Sequence, residues 1–209
     1  MNEGTNEMSS LILKQLEDRL SVTNVDVMQL AFDEITRLHK ELNGAPQQIL
    51  PWMECAKKYI GLREIPGNRH NPQILRWWVA TRQPFTDDET PWCSAAVGGV
   101  FEEKGIISTR KANARSWNKW GSSLPAPAVG AVVVFWRGSK TSWKGHVGIV
   151  WGKDTNDNLI VWGGNQGNQV SLKAFPRKRV LSYRWPQAFP LPHDYGLPIL
   201  TGDLTNGEA

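Results

Sequence analysis

In the stretch ETPWCSAAVGGVFEEKG, residues 89–105, a cysteine follows Pro91-Trp92 and precedes a run of small residues. Proline suits the first turn of a helix, and Ser94, Ala95 and Ala96 let a backbone pack closely, so the spacing places Cys93 at a helix N-terminus. The partial positive charge there favours the thiolate, the form in which cysteine attacks a carbonyl. A cysteine nucleophile also needs a base and a group that fixes the base's tautomer. Of the four histidines, His39 lies in an amphipathic N-terminal segment, His70 in a polar loop and His193 in the C-terminal tail. His146 instead opens the apolar, strand-like run HVGIVW, where a sheet could aim an imidazole. If Leu159–Trp162 pairs with that strand as a hairpin, its far end brings Asn165 or Gln166 beside His146. Either amide oxygen could accept the imidazole N–H.

The elements that must position these groups change character along the chain. Residues 24–42 carry Val27, Leu30, Ala31, Ile35, Leu38 and Leu42 at helical spacing, and Asn43-Gly44-Ala45-Pro46 supplies stop signals. With a shorter helix through Leu11, Ile12, Leu16 and Leu20, residues 1–46 are expected to form a helical hairpin extension. Pro51-Trp52 opens a helix through about Tyr59, and Asn71-Pro72 is an N-cap and first-turn proline for a helix through Ala80. Further helices are expected from Cys93 to Gly105 and from Asn113 to Trp120. After Pro125-Ala126-Pro127 the runs 132–136, 146–151, 159–162, 170–172 and 180–185 are β-rich and separated by turn residues. Helices followed by strands predict an α+β domain over residues 47–190, with an antiparallel sheet or small barrel, and a surface tail over 191–209.

Composition is that of a globular chain: 209 residues, 40% hydrophobic and 21% charged. Two cysteines make no disulfide framework. The acidic, polar N-terminus shows no signal peptide, and no run reaches the ~20 apolar residues of a membrane span, so synthesis in a cytoplasm and no stable membrane insertion are expected. Residues 1–46 hold eight acidic and four basic residues, net −4, which leaves +8 on the rest of a chain of net +4. A basic body favours an anionic partner, and nucleic acid is the weakest candidate because only charge and aromatic content point to it. Eleven tryptophans can build a core or line a groove. For Trp77, Trp78, Trp117, Trp120 and Trp162, which lie near the predicted site, core packing is the larger share.

Other polar features read as structural. Cys55 fits a small buried hydrophobe in its helix. Asp87-Asp88-Glu89 is expected to be a solvated loop. Asp154–Asn158 begins like a calcium loop but has Leu159 in place of the glycine and Asn165 in place of the final glutamate, so it is a hairpin turn. One cysteine with one plausible histidine falls short of a zinc site, and neither metal nor cofactor is expected.

The ordered set PWCSAAV, NARSWNKWG, PAVGAVVVF, GHVGIV and GGNQ resembles a bacterial and phage family of papain-like cell-wall hydrolases, close to the CHAP (cysteine, histidine-dependent amidohydrolase/peptidase) and NlpC-type groups. The likeness covers roughly residues 50–187. It implies a papain-like α+β fold in which Cys93 is the nucleophile, His146 the general base and Asn165 the third polar residue, as in Cys-His-Asn proteases. Trp92 and Gln166 are expected to line the substrate site. This chain departs from NlpC-type enzymes in having Asn165 where a second histidine often stands. It also lacks a common CHAP carboxylate, since Gly163 and Gly164 precede Asn165. The resemblance implies hydrolysis of an amide bond of peptidoglycan, within the stem peptide or between peptide and sugar. Two routes to the wall or periplasm are open: release as a phage lysin, or injection as an antibacterial effector with an immunity protein or secretion carrier docking on the N-terminal helices. The competing readings are a catalytically idle wall-binding module and an acyl transferase.

Overall fold

The computed structural model describes residues 50–200, so the expected helical hairpin lies outside the described residues. Three α-helices come first, α1 (Pro51–Lys57), α2 (Pro72–Ala80) and α3 (Cys93–Glu102), followed by a 3-10 segment, Ala114–Lys119. Six strands follow: β1 (Ser122–Leu124), β2 (Val132–Trp136), β3 (Gly145–Lys153), β4 (Leu159–Gly163), β5 (Ser171–Phe175) and β6 (Val180–Trp185). The domain is α+β with one antiparallel sheet in the order β1-β6-β2-β3-β4-β5. No helix among the described residues is long and apolar enough to cross a membrane.

Local sequence explains these elements. The Asn71 side chain accepts from the Gln73 N–H and Pro72 follows it, so α2 begins and ends where the sequence placed it. Asn113 caps the 3-10 segment in the same way through the Arg115 N–H. In β2, Val132 to Phe135 are all fully buried. That apolar run lacks alternation because both of its faces are covered.

The sheet curls nearly into a barrel. Residues 176–179 alone connect β5 to β6, although β2, β3 and β4 lie between those two strands in the sheet. Phe175 pairs with Leu159, which pairs with Lys153, seven residues from His146 along β3. A flat sheet would keep Phe175 and His146 more than about 20 Å apart. Instead their rings stack at 5.1 Å, with Phe135 4.8 Å from Phe175. Strand sterics favour such twist and coiling.

Helix α3 is the central brace between α2 and the sheet. Its small residues permit the approach: a side chain at Gly99 would collide with the Trp77 ring, and one at Gly98 with Thr81. On its other side Ala96 and Trp92 lie against the backbone of Gly164 after β4. Val97, Val100 and Phe101 are fully buried, each worth about 1.5–3 kcal/mol of transfer free energy. The last described residues are not a free tail. Lys153 exchanges backbone hydrogen bonds with Pro198 and Leu200, continuing the edge of β3.

Candidate functional site

Cys93 is the first residue of α3 and is 8% exposed. The backbone N–H groups of Val147, the residue after His146, and of Ser94 and Cys93 at the helix start act on its thiol. The helix start and the start of β3 therefore meet at the sulfur. Those N–H groups lower the thiol pKa, as a helix N-terminus should, but burial raises it by more. Helix position alone suggested a thiolate; the resting group is a protonated thiol.

His146 is 6% exposed, and its ring lies between apolar faces and the turn after β4. Burial pushes its pKa down to about 4, and the charges of Arg137, Arg179 and Lys173 act in the same direction. The hydrogen bond that His146 makes to Gln166 opposes them. At neutral pH the site thus holds a neutral thiol beside a neutral imidazole.

The two amides expected near His146 part company. Gln166 Oε1 lies 3.0 Å from His146 Nε2. Its Nε2 donates to the Ser171 carbonyl at 2.7 Å and the Ser171 hydroxyl at 3.0 Å. A carbonyl can only accept, so the amide nitrogen must face Ser171 and the oxygen must face the ring. That orientation places the imidazole proton on Nε2 and makes Nδ1 the ring's acceptor. Asn165, at φ 56°, is in the left-handed region. The reversal there sends its side chain outward, where Nδ2 donates to Glu64 Oε1 at 3.2 Å. Asn165 and Gln166 are adjacent in sequence and face different partners.

Gly163 makes room for the pair. A Cβ there would stand 2.8 Å from Gln166 Oε1 and 3.1 Å from His146 Nε2. The absence of a carboxylate at this position, noted in the sequence, is what lets the glutamine reach in from three residues later.

Trp92, expected at the substrate surface, is fully buried instead. Its ring packs on Trp77 and Gly164, and its Nε1 donates to Glu64 Oε1 at 2.6 Å. Glu64 thus ties the residue before Cys93 to the residue before Gln166. Burial raises the Glu64 pKa, and the charges of Asp88 and Glu89 add to this. Nothing in the sequence around Glu64 marked it for this place.

The Asp87-Asp88-Glu89 loop is also unlike its expectation. Asp88 is fully buried. It accepts the backbone N–H groups of Ile65 (2.9 Å) and Asn71 (2.8 Å) and lies 3.0 Å from His70 Nδ1. Burial disfavours its charge, but those donors outweigh it and hold the pKa below the usual carboxylate range. The effect is to pin loop 63–71 to the segment leading into Cys93. Cys55 lies far from this chemistry, donating to Glu103, with burial raising its pKa to about 12. The Asp154–Asn158 segment is a turn closed by the Asp154 carboxylate on the Asn156 and Asn158 N–H groups.

A family model described as the CHAP domain matches residues 85–165, consistent with a family of CHAP cell-wall hydrolases. The match contains Cys93 and His146 and stops one residue before Gln166. No curated protein matches the chain.

Proposed function

We propose that this chain is a cysteine hydrolase that cleaves an amide bond of peptidoglycan, in the stem peptide or at its link to the sugar, with Cys93, His146 and Gln166 as its machinery. The observation that carries the proposal is the buried His146–Gln166 hydrogen bond at 3.0 Å, on the strand whose next N–H, that of Val147, favours the Cys93 thiolate. The CHAP match supports a peptidoglycan hydrolase or amidase in general terms. The cysteine-bearing helix against a histidine-bearing strand supports a papain-like arrangement.

In this mechanism the Cys93 sulfur attacks the amide carbonyl carbon while His146 Nδ1 takes the thiol proton. A preformed ion pair is disfavoured because both charges would be buried, so proton transfer accompanies attack. The Gln166 oxygen accepts the Nε2–H throughout and stabilises the transient imidazolium. The oxyanion is held by the Cys93 backbone N–H at the helix start. The C–N bond breaks as the imidazolium delivers its proton to the leaving amine. Water, deprotonated by His146, then attacks the thioester and releases a carboxylic acid and the thiol. Asn165, to which the sequence resemblance gave the third role, supports the turn through Glu64, and Gln166 takes that role.

The catalytic domain spans residues 47–190, between an N-terminal extension (1–46) and a C-terminal segment (191–209). It acts at the cell wall, as a phage lysin or as a delivered antibacterial effector, with the extension available to a carrier or immunity protein. Digestion of purified sacculi, followed by mass spectrometry of the soluble products, tests the proposal. New carboxyl and amine termini are expected with wild type and absent with Cys93→Ala, and their masses identify the bond. Sacculi left intact by wild type would remove the proposal. Toxicity on export to the periplasm, but not in the cytoplasm, is expected of an effector.

A further inference from the structure

The eleven tryptophans divide sharply in space. Seven are buried, Trp120, Trp136 and Trp151 are half-buried, and Trp143 is 72% exposed. Trp143 lies in the loop between β2 and β3, three residues before His146. Along an extended backbone that is within about 10 Å of the histidine.

This loop is firmly built. The Arg115 guanidinium donates to the carbonyls of Lys144 (2.9 Å), Lys140 (3.1 Å) and Ser139 (3.3 Å). Inside the loop the Arg137 N–H donates to the Lys144 carbonyl at 3.3 Å, the Ser142 N–H to Ser139 Oγ at 3.1 Å, and the Lys144 N–H to Ser142 Oγ at 3.1 Å. A side chain at Gly145 would press on Arg115 and the Phe135 carbonyl, so the entry to His146 is fixed as well. A disordered loop can expose an indole by accident. Here an ordered loop holds one in water beside the reacting groups, which is the arrangement of a stacking platform. Arg137, Lys140 and Lys144 flank it, and residues 137–144 contain no acid.

We propose that the 137–144 loop is a binding subsite for the glycan strand of peptidoglycan, with the Trp143 ring stacking on the apolar face of an N-acetylated sugar. Resting on the hydrolase reading above, this subsite explains the cationic rim. Each muramic acid carries a lactyl carboxylate, or the peptide attached through it, and a free carboxylate would complement Arg137, Lys140 and Lys144. Trp143, rather than the buried Trp92, is then the aromatic contact to substrate.

The test uses full-length Cys93→Ala protein and glycan strands stripped of peptide by amidase, with binding followed by calorimetry. The expected result is saturable binding that weakens at least about tenfold in Cys93→Ala/Trp143→Ala and less than about threefold in Cys93→Ala/Trp143→Phe, which keeps a stacking face. Unchanged thermal melting of both variants is expected, because the ring is exposed. Chitin oligosaccharides, which lack the lactyl carboxylate, should bind more weakly and with less dependence on salt. Three results would each overturn the subsite: no binding of stripped strands, equal binding by Trp143→Ala, or binding of polyglycerol phosphate alone. If sacculi are digested and the stripped strands are ignored, the subsite falls and the hydrolase stands. If wild type digests no sacculi, the hydrolase reading falls.

Discussion

The turn after β4 and the loop before β3 both adjoin His146, and each is fastened by one long polar side chain reaching carbonyl groups. In the turn that side chain is Gln166, 3% exposed, with its amide nitrogen on Ser171 and its oxygen on the imidazole. In the loop it is Arg115, whose guanidinium holds residues 139–144 from outside. The first fastening faces inward and fixes a tautomer; the second faces outward and presents Trp143 and three cations. One histidine thus joins a dry, buried polar cluster to a wet, cationic surface. The difference teaches that order and burial are separate properties: the loop is as hydrogen-bonded as the turn, yet its largest side chain remains in solvent.

Removing the inward fastening should cost far more than disturbing its neighbour. His146→Ala is expected to lower kcat on sacculi by about a thousandfold or more, since both proton transfers go through Nδ1. Gln166→Ala should lower kcat roughly a hundredfold with little change in KM, because the ring loses its orienting acceptor. Asn165→Ala should cost less than about tenfold, as it loosens only the contact with Glu64. Equal losses from the two amide variants would contradict the division between turn and triad. By contrast, changes at Trp143 should appear in binding and KM rather than kcat.

The electrostatics of the two regions give a pH test. The folded-state pKa of His146 is about 4, below its ordinary 6.5. Between those values the unfolded chain binds a proton that the native site refuses. Stability is therefore complete above about pH 6.5, declines as pH falls through that window, and levels off below about 4. For this buried group the loss is on the order of 3 kcal/mol. Asp88, held below the usual carboxylate range, loses its own contribution at still lower pH, as its carboxylate protonates. The acid limb of kcat/KM should lie near pH 4 rather than 6.5, and Gln166→Glu should move it upward by placing a negative charge on Nε2. A wild-type limb near neutrality would mean that His146 is not the buried base described here. Smallest in effect, raising the salt concentration should weaken glycan binding at the loop while leaving kcat nearly unchanged.

The parts of this arrangement that were legible in the sequence are those written in local chemistry. Asn71-Pro72 marks α2 because capping is local, and β2 and β6 stand out as unbroken β-rich runs. The places of Cys93 at a helix start and of His146 in a strand were visible because proline, small residues and a glycine-entered strand restrict those positions. The choice between Asn165 and Gln166 was not visible. It depends on the left-handed turn at Asn165 and on Ser171 at the start of β5, both set by tertiary closure. Asp88 looked solvated because an acidic triplet usually is, and only loop 63–71 folding back makes it a buried acceptor. Trp92 and Trp143 show the same limit, since position beside the nucleophile in sequence did not decide which indole meets solvent. The strand β1 escaped notice because its three residues are defined by pairing with β6 alone.

The most direct test of the central claim is the rate of soluble fragment release from dye-labelled sacculi by wild type, Cys93→Ala and Gln166→Ala, compared at matched folded concentration. The account predicts release by wild type, none by Cys93→Ala and roughly one hundredth of the wild-type rate by Gln166→Ala. Release by Cys93→Ala at the wild-type rate would contradict it.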